Sequence, residues 1–153
     1  MQARIDYRKS APDVYQAMLG LEGAVRRAGL EPALLELVKM RASQINGCAY
    51  CLDMHSKDAR AASETEQRLY LLSAWREAPF YSQRERAALA WAEAVTQVSM
   101  NELSDKLYTE VRAHFDEKAM VELTLAIIAI NGWNRLAIAF RSNVGSHVAK
   151  SSG

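Results

Sequence analysis

The sequence predicts an all-α fold, and three observations carry that expectation. No segment shows sustained period-two alternation of apolar and polar residues. Apolar residues recur instead at helical spacing, and Ser, Asp, Pro and Gly stand where helices should start and stop. About seven helices follow from this pattern.

Ser10 and Pro12 open the first helix, whose stripe of Val14, Met18, Leu19, Leu21 and Val25 runs until Gly29. Pro32 opens a second, with Leu34, Leu35, Leu37, Val38, Met40 and Ile45 at helical spacing before Asn46-Gly47 ends it. A third runs from about Cys48 to Ala61. Ser63-Glu64-Thr65-Glu66 reads as a capping box for a fourth through Leu69, Leu72 and Trp75, closed by Pro79. A second capping box, Ser82-Gln83-Arg84-Glu85, starts a helix ending near Ser99, and Ser104 caps a shorter one towards Phe115. Asp116 is a good N-cap for the last, apolar nearly all round from Met120 to Ile130, which belongs in a core or subunit interface. Asn131-Gly132 is expected to kink or break it before Leu136 to Phe140. Glu122 inside that run needs a partner, for which Arg135 and Arg141 are candidates.

The 153 residues, 50% hydrophobic, suit one domain with a sizeable core. Residues 1–141 form that domain, with its motif region at 32–62, and 142–153 read as a flexible C-terminal tail. Nineteen basic and 18 acidic residues leave a formal charge of +1 with no long run of either sign, so neither nucleic acid nor an anionic membrane is an implied partner. The N-terminus lacks the apolar stretch of a signal peptide, and the run Ala119 to Ile130 reads as too short and polar to span a bilayer. The expected location is the cytoplasm, where a Cys-x-x-Cys pair is catalytic or metal-binding more often than a structural disulfide. One internal echo pairs Glu36-Leu37 and Ile45-Asn46-Gly47 with Glu122-Leu123 and Ile130-Asn131-Gly132.

Both cysteines lie in Asn46-Gly47-Cys48-Ala49-Tyr50-Cys51-Leu52-Asp53-Met54-His55. Cys48, Cys51 and His55 share one helical face. Free amides and the helix dipole at the first turn favour a Cys48 thiolate, whereas the nearby imidazole of His55 favours Cys51. A thiol pair can reduce a hydroperoxide: one thiolate becomes a sulfenic acid, and the second condenses with it to a disulfide, releasing water. His55 and Glu36 suit the accompanying proton transfers.

Glu36, Cys48, Cys51 and His55 reproduce the E-x11-C-x-x-C-x3-H pattern of AhpD-like alkylhydroperoxidases in the carboxymuconolactone decarboxylase superfamily. The words Lys39 to Gly47, Leu52 to His55 and Asn131-Gly132-Trp133-Asn134-Arg135 also resemble that family, which together spans most of Pro32 to Phe140. The resemblance implies a helical fold, homo-oligomers (trimers or hexamers), no cofactor, and a peroxidase cycle fed by a dithiol donor such as a lipoyl or thioredoxin-like protein. It makes Cys51 the peroxidatic thiol, Cys48 the resolving thiol, and Glu36 and His55 members of a proton relay. Tyr50 departs from the family pattern, which has a histidine there, and a phenol is a poor base at neutral pH.

Several rival readings predict different behaviour. Two cysteines in a helix can be inert small hydrophobes, and two Cys, a His and a Glu can fill a zinc shell. A non-catalytic helical oligomer or metal-binding module would then result. A lactone decarboxylase, implied by the superfamily name, would not need the thiol pair. A thioredoxin-like domain requires a strand before its Cys-x-x-Cys, and none is patterned here. His114 and His147 have no motif around them and read as surface or satisfied core residues.

Overall fold

A computed structural model describes residues 2–100 and 102–149. Among them are eight α-helices and no strand: α1 (Tyr7–Ser10), α2 (Pro12–Arg27), α3 (Pro32–Asn46), α4 (Ala49–Ala61), α5 (Glu66–Leu71), α6 (Gln83–Thr96), α7 (Asp105–Arg112) and α8 (Glu117–Phe140), with a 3₁₀ turn Leu72–Ala74 after α5. The all-α expectation holds. The tail residues 150–153 lie outside the described residues.

Local chemistry sets most of the boundaries. Ser82 and Glu85 close a reciprocal capping box at α6, and the side chains of Ser104 and Asp116 accept from the amides of Leu107 and Ala119. Gly47 takes the left-handed conformation (φ 67°) after α3. Its N–H donates to Gln44 O at 3.3 Å and that of Cys48 to Ser43 O at 3.0 Å, the paired bonds of a Schellman ending. Only a residue without Cβ adopts that φ cheaply. The same turn delivers Cys48 as the N-cap of α4.

Two sequence expectations change. At α5 the cap is Thr65, which accepts from the Arg68 amide, while Ser63 sits at φ 71° in the preceding turn. The capping box expected at Ser63 does not form. The eighth helix, α8, also runs unbroken through Asn131-Gly132. Asn131 donates from Nδ2 to Ile127 O one turn back at 2.9 Å. Gly132 lies under Met18 of α2, where a Cβ would come within 2.9 Å of the Met18 Cε. Tertiary packing thus uses two residues of low helix propensity to bring α2 and α8 close.

Helices α3 and α8 are central. Val25, Leu34, Val38, Ala88, Phe115, Leu123 and Ile127 form a core shared by α2, α3, α6, the end of α7 and α8. Leu37, Met40, Ala59, Leu72, Trp75 and Leu89 form another on the opposite side of α3. A third, small cluster of Ala42, Cys48, Cys51, Ile130 and Ala137 sits where α3, α4 and α8 meet. With 24 residues, α8 is long and apolar enough to cross a membrane by length and composition, which corrects the expectation that its apolar run is too short. Its Leu123, Ala126, Ile127 and Ala129 are nonetheless fully buried against neighbouring helices. On the outer face, Val121 and Ile128 stay 70% and 53% exposed beside a groove of about 390 Å³ edged by Trp91, Tyr108 and Leu125.

Glu122 pairs with Lys118 at 3.1 Å and accepts from the Gly29 amide at 3.2 Å, rather than engaging Arg135 or Arg141. Arg135 binds Asn131 instead. The helical i, i+4 spacing favours Lys118 over either arginine.

Candidate active site

The four residues picked out by the Cys-x-x-Cys pattern converge. Glu36 on α3 faces His55 on α4, whose Nδ1 donates to Glu36 Oε2 at 2.8 Å. Nδ1 carries a proton in this arrangement, so Nε2 is the ring nitrogen left to exchange one. Cys51 and His55 are both buried, 1% and 6% exposed. Cys51, His55 and Glu36 line a cavity of about 410 Å³. Cys48 lies behind Cys51, away from the cavity lining.

Both thiols are reduced. Cys48 ionises more readily than an ordinary thiol, at about 7, because a hydrogen bond with Cys51 favours its anion. The Tyr50 and Cys51 amides of the first turn and the Asn134 side chain act in the same direction, against the cost of burial. These amides act electrostatically, since Cys48 closes no side-chain capping bond. Cys51 moves the opposite way, raised by its hydrogen bond to Cys48 and by burial, with Asn134 opposing. The pair therefore holds one negative charge readily and resists a second.

Asn134 completes this polar core and is fully buried. Its Oδ1 accepts from Asn46 Nδ2 at 2.8 Å and its Nδ2 donates to Ser43 Oγ at 3.0 Å, while Ser43 Oγ donates to Lys39 O at 2.8 Å. An amide nitrogen has two protons, so the second is available to the sulfurs. Asn46 also donates to Asn131 Oδ1 at 3.0 Å, joining the two Asn-Gly words of the internal echo in space. The sequence marks Asn134 only as part of a family-like word and assigns it no role.

His147 differs from its sequence reading. It comes from the segment after α8 to line the cavity, and its Nε2 donates to Asp58 Oδ1 at 2.7 Å. Lys57 Nζ holds the His147 carbonyl at 3.1 Å and Asp53 Oδ2 takes the Gly145 amide at 3.1 Å. A histidine 89 residues from its partner leaves no local signal. Tyr50 accepts at its hydroxyl from Arg8 at 3.1 Å. Glu22 and Lys39 form a pair at 2.7 Å on the cavity wall. Burial would raise the Glu22 carboxyl, but Lys39 holds it below the usual carboxylate range.

One group among the described residues has metal-ligand geometry: oxygen and nitrogen atoms of Glu36, His55 and Asp58 lie within 4.8 Å of one another. The zinc reading of the sequence required both cysteines, and this group includes neither. Its members are already paired, Glu36 with His55 and Asp58 with His147.

An all-helical protein with a buried dithiol beside a His–Glu pair on a cavity wall is the class that fold and site define. Comparison narrows it. The sequence profile of the carboxymuconolactone decarboxylase family matches residues 12–94. The uncharacterized protein YdfG of Bacillus subtilis is 43% identical over 146 residues, covering 95% of this chain and 99% of YdfG. The chain belongs to the carboxymuconolactone decarboxylase family, as an AhpD-like member. A crystal structure from Agrobacterium tumefaciens, of a protein of unknown function ascribed to AhpD antioxidant defence, superposes with a TM-score of 0.92 at 44% identity, covering 95% of this chain and all of the other. The debrominase Bmp8, solved with 2,3,4-tribromopyrrole, shares the fold at a TM-score of 0.80 and 24% identity, over 90% of this chain and 74% of its own.

Proposed function

We propose that this protein is a thiol-dependent peroxidase that reduces organic hydroperoxides through a Cys48–Cys51 dithiol/disulfide cycle. The observation that carries this reading is that Cys51 lines the same cavity as the Glu36–His55 pair while Cys48 is buried with it in the small cluster where α3, α4 and α8 meet. Electrostatics put the first negative charge on Cys48, and the cavity puts the reactive face on Cys51. One proton passing from the Cys51 thiol to the Cys48 sulfur reconciles the two.

The Cys51 thiolate attacks the terminal peroxide oxygen, forming an S–O bond as the O–O bond breaks. Sulfur is oxidised to sulfenic acid, and the alkoxide leaves as alcohol after taking back the proton that the thiol pair gave to the His55–Glu36 pair on ionising. Cys48 then displaces hydroxide from the sulfenic sulfur; protonated, it leaves as water, and the disulfide closes. A dithiol donor of lipoyl or thioredoxin-like chemistry returns two electrons and two protons by exchange. The agreement in sequence with the Agrobacterium antioxidant-defence protein supports the assignment. We place the protein in the cytoplasm, because this cycle needs a reducing compartment. The exposed Val121 and Ile128 of α8 suit the homo-oligomer we expect.

Intact mass and thiol counting, before and after one equivalent of an organic hydroperoxide, test the cycle. The expected result is loss of two hydrogens and both free thiols, reversed by a dithiol. Two thiols unchanged would sink it. Cys51→Ser should reduce turnover to background, whereas Cys48→Ser should consume one equivalent and stall as a sulfenic acid. Steady turnover in Cys51→Ser would overturn the assignment of the attacking sulfur.

A further inference from the structure

The charges around the cavity are unevenly partnered. Its lining includes the carboxylates of Glu22, Glu36 and Asp58 and the cations Arg8, Arg26 and Lys39. Glu22 takes Lys39 at 2.7 Å and Arg26 at 3.7 Å, Glu36 takes His55 at 2.8 Å, and Asp58 takes His147 at 2.7 Å. Arg8 remains. Among the described residues, no carboxylate lies within ion-pair distance of its guanidinium.

Arg8 is exposed at the cavity rim, but it is held in place. One terminal nitrogen donates to the Tyr50 hydroxyl at 3.1 Å, and the guanidinium lies 5.5 Å from the centre of the Tyr15 ring. Tyr15 in turn meets Trp133 edge-on at 5.9 Å, and Tyr7, preceding Arg8, packs on Phe140 at 5.8 Å. A guanidinium has five donors, so the contact with Tyr50 leaves most of them available. A planar fork stacked on an aromatic ring suits a carboxylate better than a flexible ammonium does.

The same lining includes Leu19, Leu35, Met54 and Trp133, an apolar surface that can take the body of a ligand. At about 410 Å³ it has room for a small organic molecule, since such sites typically measure about 300–1,000 Å³. Tyr50 precedes Cys51 in the chain and carries Arg8 on its hydroxyl, so one phenol side chain spaces the cation from the sulfur.

We propose that Arg8 forms an anion subsite at the cavity mouth, and that the substrate is a hydroperoxide with an apolar body and a carboxylate remote from the peroxide. This rests on the peroxidase reading above. The apolar wall takes the body, Arg8 takes the carboxylate, and the peroxide reaches Cys51. Tyr50, the residue before Cys51, then serves to hold the recognition arginine at the cavity.

The test uses a matched pair, 4-(2-hydroperoxypropan-2-yl)benzoate and its methyl ester, with the full-length reduced protein and a dithiol donor. The readout is the ratio of kcat/KM for acid over ester. Wild type should prefer the acid by about three- to tenfold, as expected for a charged contact that remains partly solvated. In Arg8→Met the ratio should fall towards one, mainly through KM for the acid, and Arg8→Lys should restore part of it. An equal ratio in wild type and Arg8→Met would overturn the subsite. Binding of 4-isopropylbenzoate, which carries no peroxide, is measured in parallel by calorimetry on wild type and Arg8→Met. Arg8-dependent binding without peroxide consumption would retain the anion subsite and reject the peroxidase reading. Peroxide turnover with no acid preference and no benzoate binding would do the reverse.

Discussion

Two glutamates on neighbouring helices show how the same side chain is put to different use. Glu93 on α6 accepts from Arg41 Nε at 2.7 Å, Trp75 Nε1 at 2.8 Å and Arg76 at 2.6 Å. It lines neither the cavity at Cys51 nor the groove beside Val121 and Ile128. Glu36 on α3 has a single side-chain partner, His55, and faces the larger cavity. Their side-chain exposures, 12% and 20%, scarcely separate them. Satisfaction and access do. Glu93 is closed by three donors that tie α3, the turn after α5 and α6 together, whereas Glu36 retains acceptor capacity beside a ring nitrogen that can move a proton.

Isosteric substitutions should therefore separate chemistry from stability. Glu36→Gln is expected to lower the rate of peroxide-driven thiol loss by about 10²-fold or more, the usual contribution of a positioned acid or base. Its melting temperature should move little. Stopped-flow thiol oxidation together with calorimetry measures both, and a rate within threefold of wild type would break the contrast. Glu93→Gln should do the opposite, costing about 1.5–3 kcal/mol of stability through weakened charged hydrogen bonds, with thiol oxidation retained in the folded fraction. Urea denaturation checks the magnitude.

The two regions should also differ with pH. Burial would raise the Glu93 carboxyl, but Trp75, Arg76 and Arg41 hold it below the ordinary range. Its stabilising effect is full above about pH 4.3, where a free glutamate ionises, and is lost as pH falls through the lower, folded-state value. Glu93→Gln should accordingly flatten the acid limb of the stability profile. At the thiol pair, attack requires the anion, so the rate of the first turnover should rise with pH to a plateau around the Cys48 value of about 7. Asn134→Ala removes a donor that favours the anion at both sulfurs, and the midpoint should move upward. A midpoint unmoved in Asn134→Ala would deny the amide that electrostatic role.

What could be read from the sequence is what short-range chemistry specifies. The cap residues Ser82, Ser104 and Asp116 act on amides three residues away, and Gly47, lacking a Cβ, suits its left-handed turn. Cys51 and His55 share a face because helical spacing places them there, Cys48 precedes them as the N-cap of α4, and Glu36 joined them through its family-like spacing. Where a local signal met a tertiary one, the local signal lost. Asn131-Gly132 reads as a break, yet α8 continues because Ile127 and Met18 use those two residues.

The sequence by itself determined the helical class, most helix starts, the turn that presents Cys48 and the residues of the dithiol motif. Each depends on groups within a few positions of one another, so residue type and spacing suffice. Only the tertiary structure decided that Asn134 reaches both sulfurs, that His147 returns to Asp58, that Glu93 is closed while Glu36 is open, and that Arg8 stands on the cavity rim without a counter-ion. These contacts join residues far apart in the chain. Such contacts form when α3, α4 and α8 pack into one core and bring their polar side chains together, a juxtaposition no local pattern encodes.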